Sequence, residues 1–284
     1  LRTLWAKIVV IMCAGILWAA GIDIYTTPGT RAVSLGEAFS AVGSGAEAVF
    51  FNPAGIHTEK KFELAANYSL MYSVEGLSSY SAAVAFNTFL GAMGFGWNRL
   101  ALSEIYSENL IVWRSATKVN PNLYLGAGIK FFVVSAPGYE QYGDTAFSPH
   151  DAALTGDIGL LWKISPKLTL SSVGENLIEP EISLFSDSYE GDYIARRFTF
   201  GAAWSPQKFL TFSADVRTHR FSDFDINFGT EVRFFNAIAL RSGFSDGRLS
   251  MGAGIFSQKW AFDLGFYSHR TLGNRYQFSL KLMF

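Results

Sequence analysis

One property constrains this chain more than any other: apolar residues recur at every second position, in stretches of about ten residues, from Lys61 to the last residue. In "LYLGAGIKFFV", Leu123, Leu125, Ala127, Ile129 and Phe131 fall on one parity, and Tyr124, Gly126, Gly128 and Lys130 on the other. "FLTFSADVR" sets Leu210, Phe212, Ala214 and Val216 against Thr211, Ser213, Asp215 and Arg217. "WAFDLGFY" sets Trp260, Phe262, Leu264 and Phe266 against Ala261, Asp263, Gly265 and Tyr267. Successive side chains of a strand point to opposite faces, so each segment has one oily face and one polar or glycine-rich face.

A soluble sandwich also alternates, so strand length, strand number and loop pattern must decide. The count is about fourteen segments, most of the length a tilted strand needs to cross a bilayer. Alternation is weakest over 78–87, 108–118 and 168–177. Counting back from Phe284, one set of connections is short: "NTF", "VNPN", "SPK", "SPQ", "FNA" and "SQK". The other set contains both long loops, "APGYEQYGDTAFSPHD" and "IEPEISLFSDSYEGDY". The expected fold is all-β: a transmembrane antiparallel barrel of about 14 strands, with short turns in the periplasm and loops outside.

A barrel leaves no strand edge unpaired in hydrocarbon. Its oily parity then meets lipid, and its polar parity lines the lumen. Lys130, Asp157, Asp215, Arg217, Glu231, Arg233, Arg241 and Asp263 fall on the lumen parity, as do Lys163 and Lys281. An outward Arg or Lys at mid-membrane would cost about 2–4 kcal/mol. Tyr72, Trp97, Trp113, Trp162, Trp204, Trp260 and Tyr267 stand near expected strand ends, where interfacial aromatic girdles form.

Composition agrees. Charged residues are 17%, below the quarter usual for soluble domains, and hydrophobic residues 49%, which excludes disorder. A net charge of −1 argues against a nucleic-acid partner. The single cysteine, Cys13, lies in a leader-like segment: Arg2 and Lys7, then "IVVIMCAGILW", then small residues up to Gly21. Residues 1–21 are expected to form a secretory signal peptide, the alternative being an uncleaved anchor.

Residues 22–60 do not alternate. "GTRAVSLGEAFSAVGSGAEAVFFNPAGI" (29–56) predicts two short helical stretches, broken at Gly43–Gly45 and stopped at Pro53. With no core of its own, the segment is expected to sit in the lumen of the barrel (61–284) as a small helical hatch, with Asn52, Pro53, Ala54 and Gly55 as its turn motif. At the other end, Tyr276, Phe278, Leu280, Leu282 and Phe284 alternate up to the last residue. That pattern resembles the terminal strand by which bacterial outer-membrane barrels are recognised, an edge offered to the assembly machinery as a strand-addition template.

Arg31-Ala32, Leu35-Gly36, Ala38-Phe39, Ala41-Val42, Ala46-Glu47-Ala48 and Phe51-Asn52-Pro53-Ala54-Gly55 resemble the PorV/PorQ-type outer-membrane proteins, and more distantly the FadL long-chain fatty-acid transporters. "DIGLLWKISPKLTLSSVGENL" (157–177) and "GTEVRFFNAIALRSGF" (229–244) extend the resemblance along the chain. It implies a fourteen-stranded barrel in the bacterial outer membrane with an N-terminal hatch. Glu37 departs from the small residue usual after Leu-Gly.

Enzyme chemistry finds no footing. His57, His150, His219 and His269 lack metal-ligand spacing, and no G-x-S-x-G is present. "DFDINFGTE" looks like a calcium loop but lacks its sixth-position Gly and twelfth-position Glu, so it reads as lumen lining. No cofactor or metal is expected. The partners expected are outer-membrane lipid, the barrel-assembly machinery, and either hydrophobic small molecules passing through or secreted proteins held at the surface.

Overall fold

The computed structural model describes residues 27–72, 74–137, 146–185, 192–219, 223–269 and 273–284. The expected leader (1–21) and the central parts of both long loops lie outside them. Fourteen antiparallel strands close into one barrel. In chain order they are β1 (Phe62–Met71), β2 (Leu77–Thr88), β3 (Gly91–Leu102), β4 (Tyr106–Asn120), β5 (Leu123–Ser135), β6 (His150–Ser165) and β7 (Leu168–Glu175). After a two-stranded hairpin, β8 (Glu181–Ile182) and β9 (Asp192–Tyr193), the wall resumes with β10 (Arg197–Gln207), β11 (Leu210–His219), β12 (Asp223–Phe234), β13 (Ile238–Ser245), β14 (Arg248–Phe256), β15 (Trp260–His269) and β16 (Gly273–Met283). β7 pairs directly with β10, so the hairpin stands off the wall.

Closure is made by β1 against β16, in register from Glu63 opposite Met283 to Met71 opposite Arg275. Phe284 extends the seam: its N–H donates to the Phe62 carbonyl at 2.9 Å, and its carbonyl accepts from Lys61 N–H at 2.9 Å. Tyr276, Phe278 and Leu280 face outward and are exposed, so the last strand presents its oily parity to lipid. The six connections read as short turns fall at one end, and 136–149 and 176–196 fall at the other, together with shorter loops such as 103–105 and 246–247. Three strand pairs slip by a residue at the short-turn end, at Lys118/Asn120, Lys163/Ser165 and Trp204/Gln207. Pro206 sits inside the last slip, the position a sheet gives a residue that cannot donate.

The parity is as the residues demand. Leu125, Ile129 and Phe131 are exposed outside, while Lys130 and Phe132 between them are buried within. The weakly alternating segments are strands too. In β4, Leu110 and Val112 face the lumen while Ile111 and Trp113 face outward, so apolar residues on both faces erase the period.

The lumen is filled by the segment from Thr27 to Thr58. It holds one short helix, α1 (Thr30–Ser34), and two 3-10 turns, Gly45–Phe50 and Pro53–Gly55. Ala32, Val33, Leu35, Ala38, Phe39, Val49 and Ile56 are each at most 1% exposed. The second helical stretch ends at Phe50, ahead of Pro53, and Pro53 opens the next turn, because Asn52 caps it and proline's fixed φ suits a first helical position. Two expected girdle residues are corrected. Tyr72 and Tyr267 are buried on the lumen side rather than set at the lipid interface. Trp97 and Trp113 are exposed outside but lie in mid-strand, because β3 and β4 run further than the sequence suggests. Trp162, Trp204 and Trp260 do stand exposed within three residues of the short-turn ends.

Candidate functional site: the plugged lumen

From the long-loop end inward, the lumen passes through three environments. The outermost is apolar. Leu110 and Val112 of β4, Phe132 and Val134 of β5 and Ala153 of β6 line it. Phe50 of the plug closes it from below, and Ile182 and Ile194 of the hairpin segment cover it from above. The cover is pinned polar atom by polar atom. Ser183 N–H donates to Asp151 Oδ2 at 2.7 Å, Thr155 Oγ1 donates to the Ile178 carbonyl at 2.7 Å, and Asn176 Nδ2 donates to the Ala195 carbonyl at 3.1 Å. The second long loop joins it through the Phe147 and Phe185 rings, 5.4 Å apart.

The middle layer is ionic. On one side, Asp157 lies 2.6 Å from Arg114 and 3.1 Å from Lys130, and Lys130 and Arg197 share Glu175 at 2.9 and 2.8 Å. Arg114 also donates to the Val49 carbonyl at 3.1 Å, tying this network to the plug. On the opposite side, Glu231 accepts from Arg31 of the plug at 2.8 and 3.0 Å, from Arg241 at 2.6 Å and from Arg233 at 2.8 Å. Arg241 continues to Asp263 at 2.5 Å. Glu47 of the plug meets Lys281 at 2.8 Å and Arg31 at 3.5 Å. Between the two sides, Asp215 accepts the backbone N–H groups of Phe39 and Ser40, each at 3.0 Å, and the Ser40 hydroxyl at 2.8 Å. Buried charges persist only when paired and hydrogen-bonded; most of these ion pairs link wall to wall, and Arg31, Glu47, Ser40 and the Val49 carbonyl join the plug to them. Burial alone would raise the Glu47 carboxyl, but Lys281 and then Arg31 outweigh it and hold it at about 2. Glu37 is likewise held below the usual carboxylate range: burial opposes this, and Arg217 at 3.1 Å and the Thr27 hydroxyl outweigh it. The residue that departs from the PorV/PorQ pattern therefore has a structural partner.

The wall makes room for the plug with glycine. A Cβ on Gly126 would overlap the Pro53–Ala54 peptide, and one on Gly159 would overlap Asn52 Oδ1. A Cβ on Gly94 would come within 2.9 Å of Val49, and one on Gly96 within 2.8 Å of the Phe50 ring. Asn52, fully buried, accepts from Ala54 N–H at 2.9 Å and donates to the Ser40 and Leu160 carbonyls at 2.9 and 3.3 Å.

The third environment is a vestibule of about 550 Å³ at the short-turn end, lined by both plug and wall, with Glu47, His57, Tyr124, Lys163, Arg233 and Phe256 on its sides. The Tyr124 ring lies 4.9 Å from the His57 ring, 5.2 Å from Lys163 Nζ and 5.8 Å from Lys118 Nζ. Burial, then Lys118 and Lys163, lowers the His57 pKa.

All eight lumen charges expected from the sequence face inward, and Arg233 is the most exposed, at the vestibule. The structure brings Lys130 and Asp157 into one network, and Glu231, Arg233, Arg241 and Asp263 into another. Asp215 and Arg217 lie between them and hold the plug through Ser40 and Glu37. Sequence reasoning missed Arg114 and Glu175, which sit in weakly alternating strands, and it gave no partner to Arg31 or Glu47. Strand parity could have found the first pair. The second pair carries no local signal, because Arg31 and Glu231 are 200 residues apart in sequence.

An apolar belt outside, a closed hydrogen-bond circuit and a filled polar interior define the class: an outer-membrane β-barrel closed by an N-terminal plug. Within that class the fold is that of FadL-like channels. The chain is similar to the monoaromatic hydrocarbon channel CymD, with a TM-score of 0.66 at 14% identity, over 90% of this chain and 97% of that one. It is similar to a Pseudomonas aeruginosa FadL homologue, with a TM-score of 0.64 at 12% identity over 90% and 98%. It is also similar to the Pseudomonas putida toluene transporter TodX, with a TM-score of 0.56 at 13% identity over 88% and 95%. No protein-family model matches the sequence, and no curated protein matches it.

Proposed function

We propose that this barrel passes hydrophobic small molecules across the outer membrane, with the N-terminal plug as its gate. The observation that carries the reading is the packed apolar cluster under the hairpin, with Leu110, Val112, Phe132 and Val134 on the wall and Phe50 of the plug beneath them. A molecule that leaves water to enter that cluster gains roughly 25 cal/mol per Å² of apolar surface covered. To go further it must displace the plug, whose ionic and glycine seats fix the cost. The fold shared with hydrocarbon channels supports the reading. No catalytic step is ascribed to the protein. The test is uptake of labelled toluene or a labelled fatty acid by proteoliposomes holding the folded chain. Uptake several-fold above empty liposomes is expected, and uptake equal to them overturns the proposal.

A second reading, that the barrel anchors or escorts secreted proteins as the PorV/PorQ resemblance implies, draws on one observation. The plug is ion-paired to β12 and β16, and among the described residues the β2–β3–β4 wall pairs without a break. A barrel shut in this way suits an anchor. Affinity capture from cells should then recover secreted cargo or secretion-machine subunits, and recovery of assembly-machinery components alone would argue against it.

A further inference from the structure

The chain separates its two cations by place. Nine of its lysines lie among the described residues: Lys130 is in the lumen, and the other eight stand at the short-turn end. Lys281 pairs with Glu47, and Lys118 and Lys163 face the vestibule. Lys61, Lys167, Lys208 and Lys259 sit on the rim itself, exposed, and make no ion pair among the described residues. Exposed carboxylates on this rim reduce to Glu59, because Glu63 is buried on Thr58 and Ala46. The opposite end is the reverse, with Glu75, Glu104, Glu181 and Asp246 exposed and no lysine among the described residues.

The same rim carries aromatic side chains at the tips of its turns. Phe89 is 96% exposed, Phe235 91% and Phe209 54%. Phe235 and Asn236 both have positive φ, 53° and 51°, in a three-residue connection (235–237) closed by Ala237 N–H to the Phe234 carbonyl at 3.0 Å. Such a turn favours Asn or Gly at both positions, and a phenylalanine there meets no requirement of the fold. Lys208 and Phe209 are adjacent in one turn, and exposed Trp204 and Trp260 lie just above the rim on the lipid face.

We propose that the short-turn rim is a binding surface for anionic phospholipid head groups. In an outer-membrane barrel this end lies in the periplasmic leaflet. Lysines on flexible stems reach head-group phosphates while neighbouring aromatic rings enter the boundary between head groups and acyl chains. The surface is continuous with the apolar belt already facing lipid, and its charge is complementary to phosphate. A soluble partner would bury the lysines but leave the Phe tips without a reason to sit beside that belt.

The test places the full chain in phosphatidylcholine bilayers containing spin-labelled phosphatidylglycerol or spin-labelled phosphatidylcholine, and reads the motionally restricted fraction of each. Phosphatidylglycerol should be favoured by about threefold at low salt, and the preference should collapse toward parity in 0.5 M salt. The variant Lys167→Gln/Lys208→Gln/Lys259→Gln, checked for its folded, heat-modifiable form, should lose most of the preference. The salt titration on the unaltered chain reads the same electrostatics should that variant fail to fold. Equal restriction of both lipids at low salt overturns the proposal, as does a preference that survives the triple substitution. Equal restriction together with binding of soluble polyglutamate to the rim in detergent would overturn it in favour of an acidic protein partner.

Discussion

The plug is held on two sides of one barrel by different combinations of contacts. Against β3 to β6 it is seated by shape: glycines at 94, 96, 126 and 159 let Val49, Phe50 and the Asn52-Pro53-Ala54 turn approach the wall backbone, and Asn52 bonds across to Leu160. Against β12 to β16 charge is added to shape: Arg31 and Glu47 reach Glu231 and Lys281, while glycines at 229, 243 and 252 let Ser34, Leu35 and Gly36 approach the wall. A steric seat is indifferent to pH and salt but intolerant of one added carbon. An ionic seat tolerates small changes in shape but depends on every partner keeping its charge. A gate that must open without unfolding the barrel has its adjustable contacts on the charged side.

That contrast can be broken by substitution and read as amide-exchange protection of residues 30–56 in the folded barrel. The largest effect is expected from Glu231→Gln, which leaves Arg31, Arg233 and Arg241 around a neutral amide. Breaking a buried pair of this kind costs about 3–5 kcal/mol, so protection of α1 should fall by at least a hundredfold, and unchanged protection would refute the ionic seat. Acid should come next. The Glu47 carboxyl lies below its unfolded value of 4.5, at about 2, so its contribution is full above that value and is lost as pH falls toward 2. Protection of 45–50 should therefore be flat from pH 5 to 8 and weaken only between 4.5 and 2, by roughly 3 kcal/mol at most. Lys281→Met should move that transition to higher pH, and an unmoved transition would assign it to another group.

On the steric side, Gly126→Val drives side-chain atoms into the Pro53–Ala54 peptide. Overpacking at about 1–3 kcal/mol should loosen 52–56 at any pH and salt, leave α1 bound and raise channel conductance in planar bilayers. A conductance that follows ionic strength instead would reverse the assignment of this side. The smallest effect is expected from Asn52→Ala, which removes a cap and two bonds to carbonyls, at about 1–2 kcal/mol. Its loss of protection should be confined to 52–56, and loss spreading to α1 would mean that the two seats are not independent.

How far the sequence carried the wall depended on how clean each strand's parity was. β11, β15 and β5 as far as Phe131 alternate strictly, and parity alone places their lumen charges, Lys130, Asp215, Arg217 and Asp263. β4 does not alternate in hydropathy, because its inward Leu110 and Val112 pack against apolar plug and hairpin, and β7 carries serine on both parities, at Ser171 and Ser172, so Arg114 and Glu175 stayed hidden among them. Tyr267 has lumen parity, and its position in the strand rather than its aromatic type decides where it lies. The hairpin of β8 and β9 had no signal at all, since two-residue strands leave no period to read.

The sequence by itself determined a transmembrane barrel, because side-chain parity within a strand is local: a step of one residue along the chain turns a side chain from lipid to lumen, whatever lies elsewhere. It also determined that residues 29–56 need a host, since they alternate nowhere and end in a capped proline turn. Only the tertiary structure decided how plug and wall lock. Glu231 meets Arg31 across 200 residues of sequence, and Gly159 is glycine because of an asparagine more than a hundred residues earlier. Such pairings follow from barrel closure, which brings side chains together through a register summed over all fourteen strands, and no window of sequence contains that sum.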